Sequence, residues 1–243
     1  MTHVHAFIGS VAGLVAFGAV ADPVFDEFGP LPQATFGGQG IPNDEVAAST
    51  QFVDGENTLT IALSATQRFS NPALGNDGAG TYFATPGSNF GGGGESGTLG
   101  ALWNFNFYLD VEGPGSPALT DYQIDFFYDF DPGADTPLGS LGQSNVTAGI
   151  FADPMIANDT DLLEGSQNAL FGFLALDFPG LQTAPAIGSF DPNALGEYSF
   201  LLQVSRADGF ALESVAIDVV VVPVPASAGL LVAGGVLAAR RRR

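Results

Sequence analysis

The chain contains no cysteine and no lysine, and its two histidines, His3 and His5, both fall within the first five residues. Without cysteine there is no disulfide and no thiol chemistry. Without lysine there is no Schiff-base nucleophile and no lysine-dependent phosphate loop. Without histidine beyond residue 5, Ser-His-Asp and Cys-His systems, imidazole zinc sites and histidine general bases are excluded from the body of the chain. Catalysis would rest on carboxylates alone, as in a glycosidase, which needs two of them across a cleft. A body of about two hundred residues is small for that, and its one tryptophan, Trp103, reads as core. The expectation is a protein that is not an enzyme.

Positive charge is also scarce. Of six arginines, four close the chain and only Arg68 and Arg206 lie between the ends. All 26 acidic residues fall between Asp22 and Val222, so this span carries a formal charge of −24. Nucleic acid and anionic membrane surfaces both need cationic patches and are excluded as partners. Leu, Val, Ile and 21 phenylalanines are enough for a packed core, so the span folds rather than forming an acidic disordered tail.

The two ends differ from the body. Ala6 to Ala21 is apolar and finishes in Ala19-Val20-Ala21, an A-x-A cleavage pattern before Asp22. Residues 1–21 read as a signal peptide cut by signal peptidase, although Met1 to His5 lacks the usual Lys or Arg. The other end, from Val222 to Arg243, is VPVPASAGLLVAGGVLAARRRR. Pro223 and Pro225 interrupt any ladder or helix there. The run from Ala226 to Ala239 is apolar all round and fits a single transmembrane helix, with Arg240, Arg241, Arg242 and Arg243 held on the cytoplasmic side. Fourteen residues span roughly 21 Å as a helix, short of the roughly 30 Å hydrocarbon core. A permanent anchor would be marginal; a temporary one need only last until a protease reads it.

The Val222-Pro223-Val224-Pro225-Ala226 motif, short helix and arginine cluster together resemble the sorting tail of the PEP-CTERM class in its VPxPA variant. The resemblance implies processing by an exosortase, a membrane protease of Gram-negative bacteria. It implies export, a transient inner-membrane tether through residues 222–243, cleavage near the motif, and a final place on the cell surface or in the extracellular matrix. It also implies association with exopolysaccharide or biofilm. The common form carries Glu between the prolines; Val224 stands there here, which points to a different protease subtype.

Between the ends, residues 22–221 form one acidic domain. Alternation of apolar and polar residues recurs in Thr58–Gln67, Leu99–Glu112, Tyr122–Phe130, Tyr198–Val204 and Val215–Val222, and Leu170–Phe178 is also expected to be a strand. Period two with one polar face predicts antiparallel sheets around a core. No window outside the ends has a helical period, and Asp159–Asn168 is read at most as a helical turn. The fold class is all-β, an antiparallel β-sandwich of immunoglobulin-like or jelly-roll-like type. The stretch from Asp191 through Gly196 and Tyr198 to Phe200 has the spacing of the immunoglobulin corner, with Phe200 in the cysteine's place.

One acidic loop could hold a cation. Asp129, Asp131 and Asp135, with Gly133 between, give D-x-D-x-G-x-D, which supplies carboxylates and carbonyls of the kind calcium takes. It is not an EF-hand, since position 12 is Ser140. Asn158, Asp159, Asp161 and Glu164 form a weaker cluster. Both also fit solvated turns. The leading expectation is therefore an exported surface or matrix protein, and the alternative is a calcium-dependent carbohydrate-binding or adhesive module.

Overall fold

The computed structural model describes residues 22–36, 45–69, 74–91 and 99–223. In chain order its elements are β1 (Glu27–Pro30), β2 (Val46–Asp54), β3 (Asn57–Gln67), β4 (Gly75–Asn76), β5 (Thr81–Ala84), β6 (Ser88–Phe90), β7 (Leu99–Ala101), β8 (Trp103–Glu112), β9 (Tyr122–Tyr128), β10 (Gly142–Asn145), α1 (Val146–Ala152), β11 (Leu162–Gln167), β12 (Gln182–Thr183), β13 (Gly196–Arg206) and β14 (Ala211–Val221). The architecture is all-β. A five-stranded sheet has the order β1-β2-β3-β8-β11, and a seven-stranded sheet has the order β12-β10-β9-β13-β14-β5-β4. Pairing is antiparallel throughout except between β14 and β5, which run parallel.

One hydrophobic core draws on both sheets. β3 contributes Leu59, Ile61 and Leu63; β8 contributes Trp103, Phe105 and Leu109; β13 contributes Tyr198, Phe200 and Leu202, all nearly or wholly buried. Alternation predicts these faces, because successive side chains of a strand point to opposite sides. Phe105 stacks on Phe200 at 4.7 Å and on Phe126 at 5.3 Å, so an aromatic column joins the sheets where no disulfide is available.

The outer faces are less polar than alternation predicts. On the five-stranded sheet, Ala62 and Tyr108 are buried beneath Leu31, Ala34 and Phe36. The Glu164 carboxylate holds this cover by accepting from the backbone of Thr35 (2.7 Å) and Phe36 (2.9 Å) and from the Thr35 hydroxyl. On the seven-stranded sheet, Phe127, Leu141, Leu201 and Ala216 form a smaller outer cluster.

Three expectations need correction. Leu170–Phe178 is not a strand: Gly172–Ala175 forms a 3-10 turn, because Asn168 draws the chain out of β11. The buried Asn168 amide donates to the carbonyls of Ala101 and Trp103 and to Asn104, and its oxygen accepts from Ala101 and Leu170. Asp159–Asn168 is mainly strand β11 rather than a helical turn, paired to β8 from Leu162 to Gln167. Finally, α1 is a seven-residue helix in the body of the domain, capped by the Asn145 side chain at Ala148.

Candidate functional site

Expected site residues at the termini are partly placed. β14 ends at Val221, and the Val222 amide makes one further bond to the Ala84 carbonyl at 2.9 Å. Pro223 follows, exposed. Val224, Pro225, Ala226, Arg240, Arg241, Arg242 and Arg243 lie outside the described residues, as do Ala19 and Ala21. At the front, Val24 pairs with Ala216 through two backbone bonds, of 3.1 and 2.7 Å. Among the described residues no helix is long and apolar enough to cross a membrane.

The acidic loop after β9 is built from turns. Asp129 is 2% exposed, and its carboxylate accepts from the Asp131 amide at 2.8 Å. Asp131 in turn accepts from the Gly133 amide at 2.9 Å. Asp135 is exposed and has φ +59°, a left-handed conformation that Asp tolerates better than most residues. Asp129 points inward while Asp135 lies at the surface, so the structure does not bring Asp129, Asp131 and Asp135 together as a ligand set. Among the described residues, no three His, Cys, Asp or Glu side chains are grouped to hold a metal ion. In the weaker cluster, Asn158 accepts from the Glu164 amide, Asp159 from Thr160, and Glu164 is committed to the Thr35–Phe36 cover.

The loop instead supports the corner before β13. Gly196 sits so close to it that a Cβ would lie 2.0 Å from the Pro132 carbonyl oxygen. The Tyr198 hydroxyl donates back to the Ala194 carbonyl at 3.3 Å. Phe200 then packs inward, edge-on to Trp103.

Behind this corner, two carboxyls are buried near one another's field. Asp218 on β14 is 4% exposed and accepts from the Ser199 hydroxyl at 2.7 Å. Burial pushes its pKa to about 6, with Glu197, Asp22 and Asp129 adding repulsion and Ser199 opposing. Burial likewise pushes Asp129 to about 6 against the Asp131, Thr136 and Ser199 hydrogen bonds. Such values suit a general acid. Both carboxyls are almost fully enclosed.

The sequence does not announce one apolar recess. Between β11 and β10, at the side where the two sheets part, a cleft of about 350 Å³ opens. Phe105, Phe126 and Leu202 form its floor, and the 3-10 turn after β11 forms one wall. The only trace in sequence is a run of apolar residues, Leu170 to Leu181, without period two. No family model matches the chain, and no curated protein or solved structure is significantly similar to it.

Proposed function

We propose that this is an exported, non-enzymatic surface or extracellular-matrix protein, delivered by an exosortase-type tail and held among exopolysaccharide. Residues 1–21 are removed by signal peptidase, residues 22–221 are the working domain, and residues 222–243 are the sorting signal. The observation that carries the reading is where pairing starts and stops. Among the described residues, backbone pairing begins at Val24, the third residue after the expected signal cleavage, and ends at Val222, the first residue of VPVPA. Cleavage at either place would leave every strand of the described residues intact. A motif buried in the last strand would speak against proteolytic sorting.

The domain is, on this reading, a β-sandwich of immunoglobulin type. The run β10-β9-β13-β14 corresponds to C′-C-F-G, and β3-β8-β11 corresponds to A-B-E. The tyrosine corner favours this over a jelly roll, as does the parallel pairing of β5 with β14.

The test is fractionation of a Gram-negative host that co-expresses an exosortase of the VPxPA type. The wild-type chain is expected at the surface or in the medium. The Pro223→Ala/Pro225→Ala double variant is expected to stay in the inner membrane. Equal distribution of the two would refute sorting through this motif.

A further inference from the structure

The cleft between β11 and β10 has the size and lining of a ligand site. Its volume, about 350 Å³, lies within the range of small-molecule pockets. At about 30 Å³ for each water-sized atom, it has room for about a dozen non-hydrogen atoms. Its walls are held in place by polar bonds. Gln182 donates to the Phe173 and Leu176 carbonyls, Ser144 donates to Gln182, and the Tyr128 hydroxyl donates to the Leu174 carbonyl. The cleft is therefore a braced recess rather than a packing fault.

The rim is apolar and open to water. Ile156 is 48% exposed, Phe173 44%, Phe178 40% and Leu181 37%. Large side chains left this exposed around one recess mark a surface that binds something.

Charge narrows what that is. No ionisable residue lines the cleft; its polar groups are Ser144, Asn145, Gln167 and Gln182. Neither Arg68 nor Arg206 reaches it, and the chain has no lysine. A carboxylate, phosphate or sulfate would enter without a counter-ion, in a domain of formal charge −24. The Gln167 amide makes no hydrogen bond to another described residue, so it is available to a guest.

We propose that this cleft binds a neutral, mostly hydrocarbon molecule, an alkyl or acyl chain carrying one uncharged polar group that meets the Gln167 amide. The hydrocarbon lies on the rings of Phe105, Phe107 and Phe126. The site is independent of the sorting tail, and its failure would leave that reading standing.

1-Octanol and octanoate make a matched pair of probes, alike in length and different in charge. Methyl NMR of the purified protein is expected to show saturable shifts at Leu163, Leu174 and Leu202 with 1-octanol. Octanoate is expected to bind at least tenfold more weakly. Ser144→Phe, which fills the cleft from β10, should abolish the shifts; Gly149→Leu, which fills it from α1, gives a second test if the first variant misfolds. Gln167→Met should weaken 1-octanol at least threefold without changing the melting temperature. The proposal is overturned if 1-octanol gives no saturable shift at these methyls, or if octanoate binds equally. It is also overturned if sedimentation shows a dimer whose interface covers the rim.

Discussion

Phe105 on β8 and Phe200 on β13 stack across the core with ring centroids 4.7 Å apart and planes 28° from parallel. The chain has no cysteine, and its two sheets are joined here by ring packing. Phe200→Ala should therefore destabilise by about 3–5 kcal/mol, the usual range for emptying a buried aromatic site. Phe200→Leu should cost less. Tyr198→Phe, which removes only the corner bond, should cost about 1 kcal/mol. Chemical denaturation of the three variants checks the order.

Asn168 offers a sharper probe of the region around the cleft. Its amide satisfies two carbonyls and one side chain at once, and its oxygen satisfies two backbone amides. Asn168→Asp sets a carboxylate against the Ala101 and Trp103 carbonyls and should cost more than about 3 kcal/mol at neutral pH. The loss should shrink in acid, as the new carboxyl takes up a proton. Thermal melts of both proteins from pH 4 to 8 would show it.

Much of this framework is visible in the sequence, and the reasons for the rest are physical. β3, β8, β9, β13 and β14 alternate because each has one face in the core, and their register follows from that. The stretch Leu99–Glu112 reads as one strand but divides at Leu102. There the Leu102 carbonyl accepts from Arg68 and its amide donates to Gly87, so β7 leaves to pair with β6. β11 hides because LLEGSQ has no alternation; Gly165 is needed where the Phe107 ring lies, 2.5 Å from where a Cβ would be. Leu170–Phe178 has strand composition but no partner strand. The D-x-D-x-G-x-D spacing is legible, whereas the direction in which Asp129 points depends on the corner of β13, about sixty-five residues away in sequence. The cleft is not legible at all, since its lining comes from strands and turns spread from Phe105 to Leu202.

The buried carboxyls set a pH dependence. Asp129 and Asp218 titrate at about 6 when folded, above the ordinary aspartate value of 3.8. Between pH 4 and 6 the folded chain binds protons that the unfolded chain has released. Their contribution is thus fully present below about pH 4 and is lost as pH rises through 6. Asp218→Asn, which can still accept from Ser199, should raise stability at pH 7.5 by on the order of 2 kcal/mol and have little effect at pH 4. A variant less stable at pH 7.5 would contradict the assignment.

Calcium should have little to hold in the Asp129 loop. Asp129 is enclosed and Asp131 caps a turn, so a millimolar addition is expected to leave the melting temperature unchanged relative to EDTA. A ligand held a hundredfold above its Kd would add about 2.7 kcal/mol, a shift of several degrees at this size. Such a rise would make Asp129, Asp131 and Asp135 a site and favour the adhesive module.

The most direct measurement is the intact mass of the protein recovered from the surface of a host carrying a VPxPA-type exosortase. The account predicts a chain that starts at Asp22 and ends within Val222–Ala226, with residues 22–221 folded as before. Recovery of a surface chain that still carries Arg240–Arg243 would contradict it.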